Sequence, residues 1–504
     1  MPGFSGQPFI GGPLGLFLAA SADLGPSHAR HAQLTVALRG SARPEALIGW
    51  ADAQGLSTRW RAGDQWAIVE GAPSALGGAF GVAVHDYRGK RGQVFYASGQ
   101  QPAVPAPLHS EISELGRILG YIPHHTARPS IMPLVVPDRG LTRESLLRSY
   151  HADELAKDGY TGKGTTVVIF AVDGFDQSDL DRFATEFGLP QFTPTVVGGS
   201  AGESHGETVM DLEVVHAIAP DAHTVVVNAR RPAGAEATYE NIGALFEAVD
   251  QQFPGAVWSF SIGWGCDKML TAADLAPLRS ALAAAQKHGT TAFDASGDLA
   301  GLECKGGQDW SSPPGPADIG LDSVASLPEM TVVGGTTLST DAGGGWQSEQ
   351  SWFDATLSQG TSGGVSTLID RPGWQKGVSS DRGSGRRLTP DVAAVADPFT
   401  GVKIVVGGNV VVGGGTSQSA PVWAGLAAMM TQYLAEHGGQ WPGNLNPFLY
   451  RIATGAARPA FHDVTLGSNA VDRAAPGYDL VTGLGTPDVD NLVHDILDLE
   501  KKSR

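Results

Sequence analysis

Cysteine is almost absent: 504 residues hold only Cys266 and Cys304. That excludes a cysteine-rich zinc site and by itself declares no compartment. No run of 18 or more apolar residues exists, so no membrane-spanning helix is expected. Basic residues are few, 34 Lys and Arg against 52 Asp and Glu, for a net charge of −18. Phosphate binding relies on Lys and Arg, so nucleic acid is not an expected partner. The opening stretch MPGFSGQPFIGGPLGLFLAASADLG has an apolar run ending in small residues but lacks the Lys or Arg of a signal-peptide n-region. No internal repeat or low-complexity tract is evident. What remains is an ordinary globular composition, 42% hydrophobic and 17% charged. The 68 glycines, about twice the usual share, suit tight turns and clefts approached by backbone. The length argues for two or three domains.

Residues 1–30 read as a leader of unclear role. Residues 31–125 read as a small α/β unit. Strand-like runs QLTVAL, WAIVE, GVAVHDY and QVFYAS alternate with helix-like PEALIGWADAQG and APSALGGAF, which predicts an antiparallel sheet with two helices in a split βαβ arrangement. Residues 126–145, rich in proline and without helical period, read as an exposed linker open to proteolysis. From 146 to 504 the pattern changes. Uninterrupted runs such as TTVVIFAVDG, HTVVVNA, AVWSFSIGWG, TTAFDASG and MTVVGGTTL alternate with helical stretches. That order predicts a mostly parallel sheet covered by helices on both faces, with its site at the carboxyl ends of the strands.

Within this region Ser417, in GGTSQSAP, stands between a valine-rich run and a long apolar helix pattern. A helix N-terminus offers free N–H groups and a positive dipole end for a developing oxyanion. The plain alternative is an N-cap serine, so a nucleophile needs a base from elsewhere. Three candidates lie in SHGETVMDLEVVHAIAP: His205, Glu207 and Asp211. The two acids are spaced i, i+4 on one helix face. Carboxylates that close cannot both ionise freely, so one pKa rises and a shared proton becomes available to a serine in acid; two solvated acids at a helix start are the bland alternative. Asp298, just past the strand of TTAFDASGD, can donate to an oxyanion if protonated, or can simply sit in a turn.

In combination, ETVMD, ASGD and GTSQSAP, flanked by SIGWG, MTVVGGTT, SGGVSTLIDRPGWQ and TPDVAAVADPFTG, resemble the motifs of the sedolisins, the serine-carboxyl peptidases. The resemblance implies a subtilisin-like α/β fold preceded by a ferredoxin-like α+β activation prodomain at residues 31–125, with the peptidase domain at 146–504. It implies a serine-type peptidase, endopeptidase or tripeptidyl-peptidase, with Ser417 as nucleophile and Glu207 as base. Asp211 would be the partner of Glu207, and Asp298 would build the oxyanion hole with the Ser417 N–H. Ser261 to Gly265 would form an edge that pairs with substrate backbone. The resemblance further implies a secreted, monomeric enzyme made as a precursor. Its prodomain would inhibit until acid weakens its contacts, and cleavage within residues 129–143 would free the enzyme from about Leu141.

The same likeness implies one structural Ca²⁺ ion held by FHDVTLGSNAVDRAAPGYDLVTGLGTP. Asp463 and Asp479 would supply carboxylate oxygens, and Val464, Ala475 and Gly477 backbone carbonyls; a turn with two solvated aspartates is the alternative. Two other readings compete for the whole chain. A subtilisin-like endopeptidase would use Asp173, His205 and Ser417, although Asp298 stands where such enzymes have asparagine. A non-catalytic homologue would have lost a catalytic group, and none is missing. An α/β-hydrolase needs its serine in a G-x-S-x-G elbow, and Ser417 is not in one. Cys266 and Cys304 each follow a strand at the same end of the sheet. They would form a disulfide if those strands are neighbours, and would remain free thiols otherwise.

Overall fold

The computed structural model describes residues 8–90, 92–122, 132–133, 140–230, 238–305, 314–378 and 385–503. The expected linker and cleavage segment therefore lies largely outside the described residues. Two compact units are present. One holds residues 1–123 with the stretches 231–246 and 265–281; the other holds the rest.

In the first unit, β1 (Ala32–Leu38), α1 (Glu45–Ala53), β2 (Ser57–Arg59), β3 (Trp66–Gly71), α2 (Pro73–Phe80) and β4 (Ile112–Leu115) follow one another. The sheet runs β2-β3-β1-β4, every pair antiparallel. This is the ferredoxin-like order expected. Leu34 and Val36 of β1 and Leu47 of α1 pack with Val69 and Leu76 in its core. The membership of the sheet differs from expectation. The runs around 81–87 and 93–98 form strands His85–Arg88 and Val94–Ala97, and His85–Arg88 lies between Val94–Ala97 and Ala22–Pro26 in a separate three-stranded sheet. The two strands are committed to each other: the Gly89 N–H bonds the Gln93 carbonyl at 2.9 Å just past their paired residues. The leader is thus built into this unit, where Phe17 stacks on Phe95 and Tyr121 at 5.3 and 5.6 Å.

The second unit is a parallel sheet with one antiparallel edge. Its strands are β5 (Thr166–Ala171), β6 (Thr195–Val197), β7 (His223–Asn228), β8 (Val257–Phe260), β9 (Thr291–Ala295), β10 (Thr331–Thr340), β11 (Trp346–Ser351) and β12 (Val392–Val395). The order is β6-β7-β5-β8-β9-β10-β11, with β12 also paired to β10 and only β11 antiparallel. Runs of Val, Ile and Phe with no polar alternation fit strands buried on both faces. Two helices cross this sheet. α3 (Glu207–Ile218) is buried along its whole length, and α4 (Thr416–Glu436) along nearly all of it. They pack so closely that a side chain at Gly425 would meet the Ile218 Cβ at 2.9 Å. A buried helix packed on a buried helix leaves no solvent for polar groups, so any acid placed there is desolvated. The last helix is α5 (Val489–Ser503). No described helix is long and apolar enough to cross a membrane.

Candidate active site

The α3 N-terminus is held by a carboxylate. Asp173, two residues past β5, accepts the backbone N–H of His205 (2.8 Å) and Thr208 (3.1 Å) and the Thr208 hydroxyl (2.5 Å). A negative charge satisfying the free N–H groups of a helix start is favourable. It also answers the subtilisin-like alternative. Asp173 bonds the backbone of His205 and not its ring, while the His205 side chain is exposed. The Asp–His pair that reading requires is absent among the described residues.

Glu207 opens α3 and Asp211 lies one turn on, both buried. Burial, then the Asp211 and Asp173 charges, push the Glu207 carboxyl well above its ordinary range. Burial likewise raises Asp211, against a hydrogen bond from Ser261 that favours its charged form. The Ser417 hydroxyl faces Glu207 and favours its ionisation. Neither Glu207 oxygen has a hydrogen bond of full geometry. A buried carboxyl with open acceptor positions is what a proton-taking group requires.

α4 begins at Thr416 behind Gly415, whose φ of +89° turns the chain from the strand Asn409–Val412 into the helix. Gln418 donates to the Val395 carbonyl (3.0 Å), Ser419 to Ala394 (3.0 Å) and Trp423 to Ala393 (2.9 Å). The motif residues after Ser417 thus pin the helix to the end of β12 and fix where Ser417 points. Pro421 has no N–H, so the Ser417 carbonyl lacks its usual helical donor. The Ser261 hydroxyl replaces it at 3.0 Å and lies 2.9 Å from Asp211 Oδ1. Sequence reasoning placed Ser261 in a substrate-binding edge and missed this bridge; the only local signal was a proline four residues after the serine.

Asp298 follows β9. Its Oδ1 accepts the Thr416 N–H (2.8 Å) and hydroxyl (2.7 Å), and Oδ2 faces Gly415, where a Cβ would stand 2.8 Å away. Burial raises its pKa, opposed by the Thr416 bonds. Ser417 is the second residue of α4, so its N–H belongs to the first turn and has no intrahelical acceptor.

In the C-terminal loop, Asp463 Oδ2 accepts the Gly477 N–H (2.8 Å) and Asp479 Oδ2 the Ala475 N–H (3.0 Å). Asp463 is exposed and Val464 buried. Both expected carboxylates therefore accept backbone N–H groups from the segment that holds Ala475 and Gly477. Neither cysteine is free: Cys266 and Cys304 are both disulfide-bonded. Their preceding strands, β8 and β9, are parallel neighbours, as the bridge required.

No family model matches the chain. Among curated proteins it is 30% identical over 476 residues to kumamolisin of Bacillus sp. (strain MN-32), covering 87% of this chain and 80% of the relative. It is 28% identical to sedolisin of Pseudomonas sp. (strain 101), covering 84% and 73%. To tripeptidyl-peptidase 1 of Bos taurus it is 25% identical, covering 86% and 78%. The solved structure of Pseudomonas sedolisin, a serine-carboxyl proteinase complexed with two molecules of pseudo-iodotyrostatin, matches with a TM-score of 0.62 and 26% identity, over 71% of this chain and 98% of that one.

Proposed function

This chain belongs to the sedolisin family and is a serine-type peptidase acting on protein or peptide substrates, and from that premise we propose that its chemistry runs through Ser417, Glu207, Asp211 and Asp298. The Ser417 Oγ attacks the scissile carbonyl while Glu207 takes its proton, Asp211 sharing charge and proton with Glu207. The carbonyl oxygen becomes an oxyanion that receives hydrogen bonds from protonated Asp298 and the Ser417 N–H. Collapse expels the amine, which takes the proton back from Glu207. Water then hydrolyses the acyl-enzyme by the same steps in reverse. The observation that carries this reading is the Ser261 hydroxyl, within 3.0 Å of both the Asp211 carboxylate and the Ser417 backbone. It ties the acid pair to the serine-bearing helix.

Variants test it. Ser417→Ala is expected to abolish turnover and self-processing. Glu207→Gln and Asp211→Asn are each expected to lower kcat by about 10²–10⁴, with His205→Ala near the parent. Full activity of Ser417→Ala, or loss confined to His205→Ala, overturns the assignment.

The precursor reading rests on the first unit. There, Glu240, Ala273 and Asp274 bond residues of the 31–125 segment: Arg59 pairs with Glu240 at 2.8 Å, Ala273 N–H with Glu114 at 3.1 Å, and Arg117 N–H with Asp274 at 2.9 Å. We read residues 31–125 as an inhibitory prodomain removed by cleavage within residues 129–143. The bonded cysteines favour an oxidising, exported setting, and we read the mature enzyme as a secreted monomer. Asp463, Val464, Ala475, Gly477 and Asp479 would hold one Ca²⁺ ion, whose chemistry is to fix the loop.

A further inference from the structure

Three residues outside the peptidase machinery bring metal-binding atoms together. His151 follows the short helix Arg143–Ser149, His462 ends the two-residue strand Phe461–His462, and Asp488 precedes α5. One ligand atom of each lies within 4.8 Å of the other two. His151 Nδ1 is 2.7 Å from Asp488 Oδ2, across 337 residues of chain. The His462 ring is held flat on Trp346, centroids 4.4 Å apart and planes at 9°, and meets the His151 ring edge-on at 5.6 Å. Its Nε2 is buried and has no hydrogen-bond partner. An orphaned buried imidazole nitrogen needs an explanation.

We propose that His151, His462 and Asp488 form a binding site for a divalent transition-metal ion of the Zn²⁺ class, with water completing the coordination. Two imidazoles and one carboxylate are a donor set of that class, whereas the hard cation expected at Asp463 and Asp479 takes oxygen only. The geometry is within reach. Ligands about 2.0–2.1 Å from a tetrahedral ion stand about 3.3 Å from one another. The His151–Asp488 pair must open by about half an ångström, and the remaining separations close.

The backbone around the site is already fixed. Val489 N–H bonds the Tyr150 carbonyl (2.9 Å) and Asp488 N–H the Ala460 carbonyl (3.0 Å). The partly exposed His151 side chain gives the ion its way in. Binding ties the start of the peptidase domain to its C-terminal helix and stabilises the folded state by linkage. This site is independent of the catalytic assignment.

The test uses the full chain with Ser417→Ala to prevent self-cleavage, in excess Ca²⁺ at neutral pH. Zn²⁺ binding is measured by calorimetry and Co²⁺ ligation by its visible absorption. One Zn²⁺ per chain and an intense tetrahedral Co²⁺ band are expected. Affinity should drop at least tenfold in His151→Asn, which tolerates the left-handed backbone at that position (φ +50°). The same drop is expected in Asp488→Ser, which keeps the cap on the Asn491 N–H. Unchanged affinity in both variants overturns the site, as does a parent with no Co²⁺ band, whatever the variants do.

Discussion

The Ser261 hydroxyl sits 2.9 Å from Asp211 Oδ1, donating to one member of a buried acid pair from the residue that follows β8. A single hydroxyl proton serves both Asp211 and the Ser417 carbonyl, so it reports to the acids and to the Ser417 helix together.

Ser261→Ala removes a hydrogen bond that favours ionised Asp211. The Asp211 pKa then rises further, and the acidic limb of the kcat/KM profile should move to higher pH. A bond to a charged group is worth about 1.5–3 kcal/mol, which corresponds to a loss of about tenfold or more in kcat/KM. Ser261→Thr keeps the hydroxyl and should restore the limb. A profile unchanged in shape removes Ser261 from the positioning of the acids.

In the proposed mechanism Asp298 donates to the oxyanion only while protonated, so activity should fall as pH rises through its elevated pKa. Asparagine accepts from Thr416 and donates without titrating. Asp298→Asn should therefore keep activity in acid and hold it to higher pH than the parent. Asp298→Ala should lose about 10²–10³ in kcat. Parallel pH profiles for parent and Asp298→Asn would show that this group does not set the alkaline limb.

Asp274 gives the first unit a pH-dependent stability. Burial raises its pKa to about 6, against bonds from Thr271 and Arg117 and the Arg117 charge. A raised carboxyl pKa means the folded unit holds more protons than the unfolded chain between about pH 4 and 6. Stability from this group is then full in acid and declines as pH rises through that window. Glu114 is raised for the same first reason. Both groups therefore favour the folded unit in acid. The melting temperature of Asp274→Asn, taken relative to the parent precursor, should be lowest at pH 4 and climb through pH 6. A flat difference across that range contradicts the sign.

Calcium chelation, or Asp479→Ala, should lower the melting temperature of the mature enzyme, since metal binding is linked to the native state. Asp479 also caps its own turn through Val481 and Thr482 N–H bonds, each 2.8 Å, so the variant alone is ambiguous. Added Ca²⁺ should stabilise the parent and leave Asp479→Ala unmoved. Equal responses argue for a plain turn.

Short-range physics made much of this protein legible from sequence. Apolar runs without alternation marked β5, β7, β8, β9 and β10. The i, i+4 spacing marked Glu207 and Asp211, and the glycine-to-helix junction marked Ser417. Each is written within one turn or one strand. Other features depend on pairing between distant segments and leave no local trace. Ala22–Pro26 became a strand only because the hairpin at 85–97 offered it an edge. β4, a four-residue ISEL, joined the first sheet because β1 was open beside it. Ser261 meets the Ser417 carbonyl that Pro421, in a distant helix, leaves without its usual donor. His151, His462 and Asp488 met because backbone hydrogen bonds fastened Tyr150 and Ala460 to the start of the last helix. Periodicity and capping act over a few residues, so the sequence alone determines the elements. Which edges and faces meet depends on burial across hundreds of residues, and only the tertiary structure decides that.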